Sequence, residues 1–225
     1  MKLILFDIDG TMLLTHGMGR ESVVRSLSEL TGRPITTDGV FFSGKTDPQI
    51  IREVMLANGL LDLVDDAFLD EAQEAYSDAL TAAYDNDRVE ELAGVRVLVE
   101  ALAARDDVQL SLLTGNYERT AYLKVASIGL DHHFPFGAFG SDAEARHDLP
   151  LIGVQRAKAH TGRTFQGHDV IIIGDTEHDI TCGRDLGVFS VAVATGNYSR
   201  EDLATHQPNL LLDNLQDPQP ILDIL

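Results

Sequence analysis

Three apolar runs in this 225-residue chain each end in residues able to do chemistry. The run LILFDID at 3–9 closes on Asp7 and Asp9, with Gly10 and Thr11 behind them. VQLSLLTGN at 108–116 closes on Thr114, Gly115 and Asn116, and VIIIGDT at 170–176 leads through Gly174 and Asp175 to Asp179. Taken singly, each ending is ordinary turn chemistry, and Asp175 with Asp179 would suit a solvated first helical turn. Together they demand more. Asp7 and Asp9 project the same way from an extended segment and repel each other. Holding both at a buried site costs free energy unless a cation offsets the repulsion. Hard carboxylate oxygens without a His or Cys cluster suit Mg²⁺ in an open octahedral shell.

These endings need a scaffold that brings them to one place. Continuous β-branched and Leu-rich runs bounded by turn residues read as strands buried on both faces. FSVAVATGN at 189–197 and the weaker LLLDNL at 210–215 extend the series. Helical patterns lie between the runs, such as Val95, Leu98, Val99, Leu102. Strands alternating with helices predict a parallel, doubly wound α/β sheet, in which ligands gather at the carboxyl ends of the strands. Residues 15–87 break this rhythm. They carry no strand pattern but three helical series: Val23, Leu27, Leu30; Ile51, Val54, Met55; and Phe68, Ala72, Ala75, Tyr76, Ala79, Ala83. The sequence thus predicts a Rossmann-like α/β core of residues 1–14 and 88–225, with a helical domain inserted after the first strand at 15–87.

Bulk composition narrows the function classes. A formal charge of −19 argues against nucleic acid or anionic lipid as a partner, and requires local cations wherever an anionic substrate is to bind. The lone Cys182 cannot form an intramolecular disulfide, which fits a reducing compartment. No stretch approaches the roughly 18 apolar residues of a membrane span. The acidic N-terminus does not read as a signal peptide. The expectation is a soluble cytoplasmic protein.

The set Asp7-Ile8-Asp9-Gly10-Thr11, Thr114, and Gly174-Asp175-x-x-x-Asp179 resembles the haloacid dehalogenase superfamily. The inserted helices resemble the cap of its first subfamily, which includes phosphoglycolate phosphatases and beta-phosphoglucomutases. The resemblance implies that Asp7 attacks phosphorus to form an aspartyl-phosphate, while Asp9 acts as general acid and then general base. It implies Mg²⁺ held by Asp7, the Asp9 backbone carbonyl and Asp175, with Asp179 orienting a metal-bound water or a cation from behind. Thr11, Thr114 and the backbone N–H groups near Gly115 and Asn116 are expected to meet the substrate's phosphoryl oxygens. Dehalogenases lack an acid at the position of Asp9, whereas phosphatases and mutases need one. The implied function is a phosphatase acting on a small phosphorylated metabolite. A phosphosugar mutase and a non-catalytic binding protein on the same fold are the alternatives.

One expected residue is absent. The superfamily places a Lys, often before Pro, ahead of its last motif, and no Lys-Pro occurs here. Arg146, just before the helix that Pro150 opens, is the first candidate for that cation, and Lys158 within the helix is the second. In the insertion, Ser43-Gly44-Lys45-Thr46-Asp47 lacks the upstream Gly and leading strand of a nucleotide loop. It resembles a substrate-specificity loop, placing Lys45 near the leaving group, with Arg20 able to reach a substrate anion. His178 is expected to point away from the metal site, Cys182 to be a small core residue, and Phe134, Phe136 and Phe139 to belong to an edge strand.

Overall fold

The computed structural model describes residues 1–225 and contains a six-stranded sheet, a two-stranded ribbon and nine α-helices. In chain order these are β1 (Lys2–Phe6), β2 (Leu13–Leu14), α1 (Met18–Thr31), α2 (Asp47–Ala57) and α3 (Asp66–Ala83). Next come β3 (Glu90–Glu91), α4 (Val95–Ala103), β4 (Val108–Leu113), α5 (Glu118–Ser127), β5 (Gly137–Ala138) and α6 (Leu149–Thr161). The last are β6 (Val170–Gly174), α7 (Glu177–Thr181), β7 (Phe189–Val193), α8 (Arg200–Thr205), β8 (Leu210–Leu212) and α9 (Gln219–Leu222).

The large sheet runs β5-β4-β1-β6-β7-β8, and every pair in it is parallel. It is the Rossmann-like α/β architecture expected from the alternating runs. β1 lies between β4 and β6 with a helix against each face, so its apolar run is continuous. Because strand side chains alternate, Leu3 and Leu5 pack on one face with Leu149 and Ala157 of α6. Ile4 and Phe6 pack on the other with Val95, Leu98 and Leu102 of α4. Each such fully buried side chain stabilises the fold by ~1.5–3 kcal/mol. From β1 the chain builds outward through β4 and β5, then returns to add β6, β7 and β8 on the other side. Strand order therefore reverses at β1, which puts the ligand crevice at its carboxyl end.

Between Leu14 and Glu90 the chain forms a separate helical layer with its own apolar cluster. Val23 and Leu27 of α1, Ile51, Val54 and Met55 of α2, and Ala72, Tyr76 and Leu80 of α3 meet there, one stripe from each helix. Thr46 caps α2 by accepting from the Gln49 N–H, with Pro48 in the first turn, and Asp65 caps α3 through the Phe68 N–H at 2.9 Å. The chain leaves the sheet and returns to it through β2 and β3, which pair antiparallel with Leu13 opposite Glu91. The segment around the Phe residues forms β5 at the sheet edge, with Phe134 and Phe139 buried. No helix is long and apolar enough to cross a membrane.

Candidate active site

The apolar run of β1 stops at Phe6, but the ladder continues for one more bond. The Asp7 N–H donates to Ile173 O at 3.0 Å, fixing the first carboxylate at the strand tip. Ile8 is fully buried, and Asp9 follows with its side chain 42% exposed. Gly10 turns the chain at φ +83°, and a Cβ there would collide with the Asp175 carboxylate. Asp175, at the end of β6, is enclosed from the far side by Gly196, whose missing Cβ would occupy the same space. Thr11 is fully buried and donates to Asp175 Oδ1 at 3.2 Å. It does not line the cavity, so its expected contact with substrate is replaced by a hold on Asp175.

Carboxylate oxygens of Asp7, Asp175 and Asp179 all lie within 4.8 Å of one another, and all three residues are buried. Asp179 is committed to the protein. Its Oδ2 accepts from the Thr176 N–H at 3.0 Å and the Thr176 hydroxyl at 2.6 Å, while its Oδ1 accepts from Arg146 Nη2. The same Nη2 lies 3.2 Å from Asp7 Oδ1, so Arg146 bridges Asp7 and Asp179. Burial works to lower the Arg146 guanidinium, but Asp179 and Asp7 outweigh it and hold it above its ordinary value. Lys158 is exposed on α6 and does not reach the cavity, leaving Arg146 as the cation at this site.

Three buried carboxylates exceed what one guanidinium can balance. Burial pushes Asp7 up to about 7 against the pull of Arg146, with Asp179 and Asp9 adding to the rise. Burial, then Asp7 and Asp179, push Asp175 well above the carboxylate range. The missing charge and the hard oxygen donors fit a divalent cation facing Asp7 and Asp175, both of which line the cavity while Asp179 does not. His178 is half-buried on α7 against Gly44 and stands outside this cluster. Cys182 is buried, and burial pushes its thiol up to about 12.

At the end of β4, the Thr114 hydroxyl accepts from the Asn116 N–H at 3.3 Å and from Asn116 Nδ2 at 2.7 Å. The Asn116 N–H is thus held within the turn, and Gly115 and Asn116 both line the cavity. Asn116 Nδ2 also reaches Asp9 Oδ2 at 2.7 Å. A residue absent from the sequence reading completes this corner. Lys124 of α5 is 3% exposed, and its Nζ contacts both oxygens of Asp9 at 2.8 and 2.7 Å and Asn116 Oδ1 at 2.6 Å. Burial would lower Lys124, but Asp9 and Asp47 raise it, so it stays an ammonium. Buried Asp47, at the start of α2, accepts from the Tyr117 N–H at 2.8 Å. Burial pushes it up to about 7 against the opposing pull of Lys124.

The helical layer closes the site. The Asp47 N–H donates to Gly115 O at 2.7 Å, the Thr46 hydroxyl to Glu144 O at 2.6 Å, and Asn197 Nδ2 to the Ser43 hydroxyl at 2.7 Å. A Cβ on Gly115 would strike Lys45 O. The cavity measures about 470 Å³ and is lined by Asp7, Asp9, Thr114, Arg146 and Asp175 from the sheet half and by Arg20, Phe41, Phe42, Lys45 and Tyr76 from the helical layer. Neither expected substrate cation is unpartnered. Lys45 pairs with Glu53. Arg20 donates to the carbonyls of Thr37 and Val40 and lies 3.9 Å from the centre of the Phe42 ring.

The haloacid dehalogenase-like hydrolase family matches residues 4–193. This chain belongs to that family. Among its relatives, the pyrophosphatase PpaX of Anoxybacillus flavithermus is 27% identical over 100% of this chain and 98% of its own length. The pyrophosphatase PpaX of Listeria monocytogenes is 26% identical over 95% and 93%. In fold, the chain is similar to a beta-phosphoglucomutase from Clostridium difficile, with a TM-score of 0.73 at 17% identity over 99% of this chain and 96% of that one. The phosphatase reading implied by the sequence motifs thus stands in a family of hydrolases with phosphatase-type relatives.

Proposed function

We propose that this chain is a cytoplasmic, Mg²⁺-dependent phosphatase that cleaves a small phosphorylated metabolite through an aspartyl-phosphate on Asp7. The arrangement that carries this reading is Asp7 at the tip of β1, tied to Arg146 and facing Asp175, with Asp9 two residues on and lining the cavity. Asp7 and Asp175, with the Asp9 backbone carbonyl, would hold Mg²⁺. When bound, the ion offsets the repulsion between Asp7 and the phosphoryl oxygens.

In the first step an Asp7 carboxylate oxygen bonds to phosphorus as the bond to the leaving oxygen breaks, and Asp9 gives that oxygen its proton. In the second, Asp9 takes a proton from water as the water oxygen bonds to phosphorus. The Asp7–phosphorus bond then breaks and inorganic phosphate leaves. Arg146 and the Thr114 corner orient the phosphoryl group. We assign residues 15–87 to a cap whose closure excludes bulk water during attack on phosphorus. Because two relatives are pyrophosphatases, inorganic pyrophosphate belongs among the substrates tested.

The test is phosphate release from a panel of phosphorylated metabolites and pyrophosphate with Mg²⁺, using wild type, Asp7→Asn and Asp9→Asn. Turnover by wild type on at least one compound, with loss of ~10²–10⁴-fold in Asp9→Asn, is expected. Silence of wild type across the panel, or full activity of Asp7→Asn, would falsify the reading.

A further inference from the structure

We propose that Lys124 is a positioning residue that fixes the carboxylate plane of Asp9. The inference rests on the assignment of Asp9 as acid and base.

An ammonium carries three N–H donors. All three of Lys124 are spoken for, by Asp9 Oδ1, Asp9 Oδ2 and Asn116 Oδ1. Asn116 returns a bond to Asp9 Oδ2, which closes a ring of three side chains around one carboxylate. With its side chain 4% exposed and its donors used, Lys124 has nothing left to offer a substrate oxygen. Asp9 differs, since its side chain is 42% exposed and lines the cavity. The clamp therefore grips Asp9 from behind and leaves part of it open to the reacting group. A proton donor works only within hydrogen-bond reach of the oxygen it serves, so losing the grip lowers the rate of proton transfer while leaving binding intact.

The turn that carries Asn116 is also where the helical layer docks. The buried Asp47 reaches this corner only because the start of α2 is docked on the turn after β4, through its N–H to Gly115 O and its carboxylate to the Tyr117 N–H.

The experiment is a double-mutant cycle on the full chain with Mg²⁺, using phenyl phosphate and p-nitrophenyl phosphate as probes. Lys124→Met should lower kcat on phenyl phosphate by ~10²-fold with KM little changed. It should cost less on p-nitrophenyl phosphate, whose leaving group needs no proton. In the Asp9→Asn background the same change should cost no more than about twofold further. Equal losses in both backgrounds, or an unchanged kcat in Lys124→Met, would overturn the proposal. If Lys124→Met fails to fold, Lys124→Met with Asp47→Asn removes both buried charges and carries the same comparison. Retained turnover in Asp9→Asn itself would remove Asp9 from its role, and the inference with it. A wild type inert toward both probes would do the same through the functional reading.

Discussion

Two buried cations serve the two carboxylates of one strand end, and they do it differently. Arg146 meets Asp7 and Asp179 through a single nitrogen, Nη2, and its buried Nε has no partner at all. Lys124 meets Asp9 with every donor engaged. A guanidinium keeps a planar fork from which further N–H groups can bind an arriving oxyanion, whereas a fully coordinated ammonium can only hold what it already touches. The partners differ too. Arg146 shares Asp179, which follows β6, while Lys124 shares Asn116, which follows β4. One cation thus keeps donors in reserve. The other has none left.

The largest effect that would break this comparison is at Arg146. Arg146→Ala should reduce kcat by ~10³-fold. It should also lower stability by ~3–5 kcal/mol, because Asp7 and Asp179 lose their shared counter-charge. Arg146→Lys should recover part of the stability but less of the rate, since it restores charge without the fork. Urea unfolding and steady-state kinetics read the two losses separately, and a variant equal to wild type in both would end the comparison.

Metal removal comes next. Asp7 rises from 3.8 to about 7 on folding, so the folded chain holds the extra proton between those values. Stability without metal should therefore fall as pH climbs through that window. On the proposed reading Mg²⁺ binds the ionised site, so the gain in Tm it confers over EDTA should be larger at pH 8 than at pH 5. Saturation at a hundredfold the Kd would stabilise by ~2.7 kcal/mol. A Tm gain that shrinks with rising pH would contradict the acidic cluster as the binding site.

On the Lys124 side, Asp47→Asn should act through stability with the same sign. Asp47 also rises from 3.8 to about 7, so its charged form carries a penalty that grows with pH across that interval and is constant above it. Asparagine keeps the acceptor for the Tyr117 N–H without the charge. The urea midpoint of Asp47→Asn should pull ahead of wild type as pH rises from about 4 to about 7 and then stay level. The smallest effect is the control. Lys158→Ala, exposed and away from the cavity, should leave stability within ~0.5 kcal/mol and kcat unchanged.

The strand ends were legible because a buried parallel sheet writes itself as unbroken apolar runs, and a charged residue ending such a run is conspicuous. Asp7, Asp9 and Asp175 carried that mark, Thr114 ended its run in a hydroxyl, and all four line the cavity. Arg146 was reachable only through its place before α6. Lys124 was missed because it lies inside a helix, among residues that read as packing. A signal existed, since Thr120, Ala121, Lys124 and Val125 form the buried stripe of α5, and a lysine rarely sits on such a stripe without a partner. Asp47 was hidden within a loop read for its lysine. What no local pattern could give is which residues meet across the layers. Asp47 and Tyr117 are distant in sequence and joined only by how α2 docks on the sheet.

That docking is carried largely by backbone. Gly115 offers its carbonyl to the Asp47 N–H, and both it and Gly140 must lack a side chain for the two segments to approach. The side chains at the tip, Phe41, Phe42 and Lys45, take no part in those bonds, yet they line the cavity. Such a division makes the enzyme readily retailored. On the proposed reading, mutation of these lining side chains would change what the cavity accepts while the backbone contacts beneath stay as they are, so new substrate preferences would arise without reinventing the chemistry.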